Sequence, residues 1–509
     1  MKEQLALLPE YLTAHLRLSL LALGAGVLTS LPLGVLAHRS PALERGLLGF
    51  ASVVQTVPSL ALLAIMVPAL SALGQSGIGF LPAFIGLSLY SLLPMLRNTV
   101  TGLAGIDPAL MEAARGVGMT PGQRLWRVEL PLALPVIIAG VRTATVWTVG
   151  TATLSTPVGA TSLGNYIFSG LQTRNISAVL VGCVAAASLA LLLDGLVRAL
   201  AVAVEQRRAG LRRVVLAVIA LLYLFVGVGL ARETRGASRG RVTIGAKSFT
   251  EQYVLAEIMA GQVRSRAGLE AEVLSSLGST VAFDALSAGE IDAYVDYSGT
   301  IWATVMHRES TPGTRGSVLR EVRRYLEQER GLAVAGALGF ENTYALAMRR
   351  DHAASLGVSS ISELSLRSPG LSLGADFDFF ARKEWPDLVE VYGLGFRERR
   401  SMDSALMYQA VAQGAVDVIT AYSTDGRIEA YDLVVLEDDA GAIPPYDALI
   451  LASRRLAEEQ PGALAALRDL AGRIDAGRMR ALNARVDRDG ETPAAAAAGF
   501  LAELRSAER

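Results

Sequence analysis

This chain of 509 residues writes almost every cation as arginine. Only Lys2, Lys247 and Lys383 stand beside 44 arginines, so a lysine kept against that bias is informative. Lys247 follows the β-branched run Val242–Ile244 and precedes Ser248-Phe249-Thr250-Glu251, which fits a capping box opening a helix. That puts it in a strand-to-helix loop, where open α/β sheets take their ligands. A phosphate-cradling G-x-x-x-x-G-K-[ST] loop needs a lysine, and none of the three sits in one. ATP is therefore not held by a Walker loop of this chain. Cys183 is alone in an apolar run, which excludes an intrachain disulfide and a cysteine-based metal cluster. It is expected to be a small buried residue. No catalytic residue, metal or cofactor is called for.

Two charges fall inside apolar runs. Asp194 lies four residues before Arg198, which predicts an i,i+4 pair. Arg142 sits mid-run without a local partner, so it should pair with another span or line a water-filled path.

The composition, 51% hydrophobic and 19% charged, is too apolar for an ordinary soluble protein. The net charge of −1 hides an asymmetry: residues 1–230 carry 15 Lys+Arg against 8 Asp+Glu, the remainder 32 against 40. Apolar runs near 16–37, 46–70, 77–96, 132–153, 178–200 and 214–230 are each about long enough to span ~30 Å of hydrocarbon. The segments 38–45, 97–131 and 205–213 hold ten arginines, whereas the alternate loops 71–76 and 154–177 hold only Arg174. Basic loops stay in the cytoplasm, so six spans leave both the N-terminus and everything after residue 230 outside. The Gly/Ser-rich stretch 155–171 then lies at the outer mouth, as a gate or a connecting loop.

Residues 112–131, EAARGVGMTPGQRLWRVELP, read as a short amphipathic helix, a breaking glycine and a second stretch entering the next span. Such a cytosolic element is a solvated loop or a rigid peg for a partner's groove. Its spacing resembles the EAA loop of ABC-transporter permeases, with Val128 where isoleucine is usual. The stretches VVQTVPSLALLAIMVPAL (53–70) and SLLPMLRNTVTGL (91–103) are similar to permeases for compatible solutes. The resemblance implies that Glu112, Ala113, Ala114 and Gly118 couple to a separate cytosolic ATPase, and that two copies form the path.

Residues 231–241, ARETRGASRGR, read as a tether. From Val242, short β-branched runs alternate with helical stretches such as 250–264, an α/β rhythm. IGAKSFTEQYVLAEIMAGQV (244–263), DAYVDYSGT (292–300), ENTYALAM (341–348) and DVITAYSTDGRI (417–428) resemble the osmoprotectant-binding family for glycine betaine, carnitine, choline and proline betaine. The expected architecture is an all-α polytopic permease domain, 1–230 with its EAA loop near 108–131, the tether, and a two-lobed periplasmic-binding-protein-like domain, 242–509. Its lobes are expected at 242–345 with 447–509, and at 346–446.

A quaternary ammonium has full charge but no N–H, so it is recognised by electron-rich aromatic faces. A betaine's carboxylate wants cationic or hydroxyl donors. By resemblance, Tyr297, Tyr344, Tyr422 and Tyr446 match the aromatic cage, and Lys247, Thr300 and Arg382 the carboxylate side. Asn342 is a further candidate, while Tyr294, Tyr408 and Trp302 are expected to pack. The implied partners are the ATPase, a second permease copy, a small zwitterionic or cationic solute and membrane lipid, with no nucleic acid. The chain then sits in the bacterial inner membrane, with its binding domain on the periplasmic side. Two rivals stand beside this reading: an importer for an amino acid or other zwitterion, and a membrane-anchored sensor.

Overall fold

The computed structural model describes residues 2–507 other than 174, 237–240, 309–314, 378 and 382–383; the side chains of 2–6, 231–236, 381, 405 and 507 are also outside the description. The chain divides into two units, residues 1–168 with 176–239, and residues 240–509 with 169–175.

The first unit is helical: α1 (Lys2–His38), α2 (Pro41–Thr56), α3 (Ser59–Ala72), α4 (Phe80–Ala104), α5 (Pro108–Gly116), α6 (Pro121–Arg124), α7 (Leu130–Ala152), α8 (Gly164–Gln172), α9 (Ile176–Glu205) and α10 (Ala209–Gly236). Among the described residues, five helical runs are long and apolar enough to cross a membrane, or six if the bent pair α2–α3 counts as one span. The straight span expected at 46–70 is broken there by a bend of 101°. The cause is Pro58, which bars the residue before it from helical geometry; Val57 takes φ −68° and ψ 128°. Leu20, Val149, Leu189, Leu193 and Val226 form a buried cluster joining α1, α7, α9 and α10.

Three further expectations are corrected. Asp194 pairs with Arg142 of α7 rather than along its own helix: Nε–Oδ1 is 2.9 Å and Nη2–Oδ2 3.0 Å. Two parallel N–H···O bonds make this fork geometrically stronger than a single contact one turn away. Cys183 is exposed on α9, because an apolar residue of a span need not face protein when the surrounding solvent is lipid. Within the stretch expected as a tether, residues 231–236 are helical, since α10 continues to Gly236; residues 237–240 lie outside the described residues.

The stretch 155–171 opens with a 3-10 turn, Thr153–Val158, and continues into α8. It is pinned from inside. His15 of α1 donates through Nε2 to the Val149 carbonyl at 3.0 Å and accepts from Leu163 N–H on Nδ1 at 3.3 Å. Thr156, Ser162 and Asn165 add a buried polar network.

The second unit holds ten strands: β1 (Val242–Lys247), β2 (Ala271–Leu277), β3 (Ala293–Tyr297), β4 (Ala333–Glu341), β5 (Tyr344–Arg349), β6 (Ser372–Ala375), β7 (Glu398–Ser401), β8 (Val418–Tyr422), β9 (Leu433–Val435) and β10 (Asp447–Ala452). They form two five-stranded sheets, ordered β2-β1-β3-β10-β4 and β7-β6-β8-β5-β9. The chain leaves the first sheet through residues 342–343 and returns through 436–446. In each sheet three neighbouring strands run parallel, β2-β1-β3 and β7-β6-β8, and are continued by antiparallel partners, β10 beside β3 and β5 beside β8. Central strands such as β3 and β10 are buried along their whole length, as sheets covered on both faces require.

After β1 comes α11 (Thr250–Gln262), almost wholly buried although it begins Thr-Glu-Gln. The expected capping box does not form: Phe249 is the N-cap and no side chain caps the helix. With Phe249 as N-cap, Glu251 stands at the second helical position rather than the third, and its carboxyl group takes donors from the packed interior.

Candidate functional site

Strand register brings the aromatic residues together. Tyr344, first in β5, lies directly opposite Tyr422, last in β8, and their ring centroids are 5.0 Å apart. Tyr297 ends β3, and Tyr446 precedes β10, where its carbonyl accepts from Asn342 N–H at 3.0 Å. Tyr446 meets Tyr344 edge-on at 6.1 Å. Phe249, just beyond β1, stacks on Tyr422 at 6.1 Å and 8°, and on Tyr297 at 6.3 Å and 28°. The four tyrosines singled out in the sequence thus belong to one aromatic cluster, with Phe249 as the link that motif reading missed. They line a cavity of about 390 Å³ together with Lys247, Thr300 and Asn342.

The side expected to hold a carboxylate is arranged differently. Lys247 is the last residue of β1, and its Nζ is 2.5 Å from Asp296 Oδ1, both groups being buried. Tyr294 donates to the other Asp296 oxygen at 2.5 Å. The lysine charge is thereby matched from within the fold. Arg382 lies outside the described residues. Arg427, another cation of the lining, is forked onto Asp425 and lies 4.1 Å from the Tyr408 ring centroid. Burial disfavours its charge, but Asp425 outweighs this and holds its pKa above the usual guanidinium value. Glu251, Asp376, Asp403, Asp425 and Asp487 also line the cavity, so among the described lining residues acids outnumber bases. Such a wall favours a positive guest.

Glu251, read from the sequence as a helix cap, is instead a hub. Its Oε1 accepts from Tyr297 Oη at 2.5 Å and Asn342 Nδ2 at 3.0 Å. Its Oε2 accepts from Thr424 Oγ1 and from Asn483 Nδ2, the latter at 3.3 Å. Burial raises the Glu251 pKa above the usual carboxylate range, and the four donors offset only part of that rise. Burial and the neighbouring Glu251 carboxylate raise the Tyr297 pKa well above that of a free phenol, so its hydroxyl stays protonated and donates. The signal available beforehand was Glu251's place four residues beyond Lys247 in a quoted motif. Nothing there distinguished a cap from a buried hub.

In the first unit, Glu112 and Ala113 of α5 are exposed, while Ala114 is buried. Gly118 ends the turn at φ +79°, a conformation that costs other residues about 1–2 kcal/mol. Thr120 and Gln123 then form a capping box that starts α6. Val117, 75% exposed, and Trp126, 72% exposed, flank this turn.

A bundle of candidate spans continuing into a two-sheet α/β unit with an aromatic cleft defines a membrane permease joined to a solute-binding domain. Comparison with known proteins agrees. Residues 240–503 match the substrate binding domain of ABC-type glycine betaine transport systems, and residues 26–208 match the inner membrane component of binding-protein-dependent transport systems. The chain is 30% identical over 485 residues to the ergothioneine transport permease/ergothioneine binding protein of Helicobacter pylori (strain G27), a match covering 93% of this chain and 86% of that one. It is 43% identical over 180 residues to the choline transport system permease protein OpuBB of Bacillus subtilis (strain 168), covering 35% and 80%. It is 34% identical over 275 residues to a glycine-betaine-binding protein of Pseudomonas aeruginosa, covering 51% and 86%. The chain belongs to the family of ABC-import inner-membrane permeases fused to a glycine-betaine-type substrate-binding domain. It is the permease plus solute-binding subunit of such an importer.

Proposed function

We propose that this subunit imports a quaternary-ammonium compatible solute: glycine betaine, choline, carnitine or proline betaine. The observation that carries the proposal is the single aromatic cluster of Phe249, Tyr297, Tyr344, Tyr422 and Tyr446 around a cavity whose described charges are mainly acidic. Rings present a negative face to a charge that offers no proton. Tyr297, Tyr344, Tyr422 and Tyr446 form the cage, with Asn342 as a further contact, and Thr300 and Arg382 serve the solute's other end. Lys247 acts there through its pair with Asp296.

Residues 1–230 serve as the permease domain and 242–509 as the binding domain. Its two lobes, expected at about 242–345 with 447–509 and about 346–446 but with Tyr344 and Ala345 belonging to the second sheet through β5, close on the solute by hinging at the inter-sheet crossovers. The arginine-rich loops support a cytoplasmic face bearing the EAA segment and a periplasmic binding domain. Two copies form the path, and Glu112, Ala113, Ala114 and Gly118 dock a separate ATPase that performs all bond chemistry. Covalent attachment makes delivery of solute to the permease intramolecular.

A second reading is favoured by a relative that spans both units, the ergothioneine permease/binding protein. Ergothioneine is itself a trimethylated betaine with an added heterocycle, and a cavity of about 390 Å³ has room for more than a methylated head. Calorimetric titration of the full chain in lipid nanodiscs with the four solutes, ergothioneine and unmethylated amino acids decides. Binding of an amino acid alone refutes the cage.

A further inference from the structure

Glu251 lies in the first turn of α11, 3% exposed, and lines the aromatic cavity. Its two oxygens accept four hydrogen bonds, from Tyr297, Asn342, Thr424 and Asn483. A carboxylate has about four lone-pair sites, so these donors saturate it. Two of them are amide NH2 groups, and flipping either would set a carbonyl against a carboxylate oxygen. Four donors are what an ionised carboxylate takes. The helix N-terminus beneath it adds partial positive charge in the same sense. Yet no cationic side chain is among its partners in the described residues. The two cations of the cavity wall are engaged elsewhere, Lys247 with Asp296 and Arg427 with Asp425.

The donors also come from every part of the binding unit. Tyr297 ends β3, Asn342 lies in the crossover between the sheets, Thr424 follows β8 in the second sheet, and Asn483 belongs to the helix Ala476–Asp487. A negative charge is thus fixed where the two sheets meet, one phenol away from the aromatic cleft. Tyr297 donates its hydroxyl to this anion, which holds the ring in place and leaves its face more electron-rich toward a cation.

We infer that Glu251 is the counter-charge and positioning residue of the solute site: a saturated buried carboxylate that fixes Tyr297 and balances the charge of a methylated ammonium head. The inference rests on the reading of the cleft as a quaternary-ammonium site and deepens it by naming the charge that selects a permanent cation. A cationic guest also relieves the cost of burying a lone anion, which burial alone would push toward protonation.

The test is calorimetric titration of the full chain in lipid nanodiscs with tetramethylammonium, choline and glycine betaine, which share only the methylated head. Glu251→Gln keeps the shape and removes the charge. The expected result is the same loss for all three ligands, about tenfold, the weight of one interaction with a charged group. Thr424→Ala removes one donor but leaves the charge, and its expected loss is under about threefold. Tyr297→Phe, which keeps the ring and unhooks it from Glu251, supplies an independent arm should Glu251→Gln fail to fold. It is expected to weaken all three ligands by about threefold or more. Unchanged affinity in Glu251→Gln or in Tyr297→Phe, or a loss in Thr424→Ala equal to that in Glu251→Gln, overturns the inference. If the wild-type chain binds none of the three, the reading of the cleft fails and takes the inference with it. If the wild type binds and Glu251→Gln is indifferent, the inference alone fails.

Discussion

Tyr422→Ala removes the ring on which the aromatic cleft turns. Tyr422 stacks on Phe249 at 8° and faces Tyr344 across the β5–β8 ladder, so with the Tyr344–Tyr446 contact it links residues of the two sheets. A desolvated cation–π contact is worth about 2 kcal/mol and an exposed one about 0.5–1. Tyr422 is half-buried, which places its direct contribution near 1.5 kcal/mol, about a tenfold change in affinity. Loss of its stacking partners loosens Phe249 and Tyr344, each ring pair being worth about 0.5–1.5 kcal/mol, so the full effect is expected to reach about tenfold to thirtyfold. Tyr422→Phe keeps the ring. Among the described residues its hydroxyl contacts, to Tyr344 at 3.3 Å and Asp376 at 3.4 Å, are long, and the expected loss stays within about threefold. Calorimetry with glycine betaine on the full chain, with a thermal melt confirming that both variants fold, separates the two. Wild-type affinity in Tyr422→Ala refutes the reasoning, and so does Tyr422→Phe falling as far as Tyr422→Ala, because the hydroxyl rather than the π-face would then be the recognising group.

Other consequences are checked with the same preparation. Gly299→Ala puts a methyl group 2.7 Å from the Tyr446 ring, so about 1–3 kcal/mol of overpacking should displace that ring and weaken solute binding; unchanged affinity removes Tyr446 from the site. Glu112→Ala, on the exposed face of α5, should abolish solute-stimulated ATP hydrolysis in the reconstituted importer while titration shows solute capture intact; lost capture counts against a coupling role. Arg142→Leu strands Asp194 in the membrane and should lower stability by up to about 3 kcal/mol, whereas adding Asp194→Leu should restore most of it in a thermal-inactivation assay. A double variant no better than the single one removes the pair from the stability account.

How far the chain could be read in advance depended on how local each determinant was. Apolar runs, arginine-rich loops and alternating β-branched and helical segments reveal a polytopic unit followed by an α/β unit, because hydrophobic periodicity is a property of a few adjacent residues. The short motifs around Tyr297, Tyr344 and Tyr422 are local too, and so could be read. The bend at Pro58 was legible in principle, since the residue before a proline leaves the helix, but the surrounding hydropathy masked it.

What only the tertiary structure decided is pairing at long range. Asp194 chose Arg142, 52 residues away, over Arg198, four residues away, because a neighbouring helix offered the better fork. Lys247 found Asp296, and Glu251 gathered donors from as far along the chain as Asn483. A buried charge must be satisfied by whatever the fold brings within about 3 Å, and sequence separation carries no information about that distance. The amino-acid order alone therefore determined which groups this protein possesses and in which half they lie; packing decided which charges are cancelled and which remain to meet a solute.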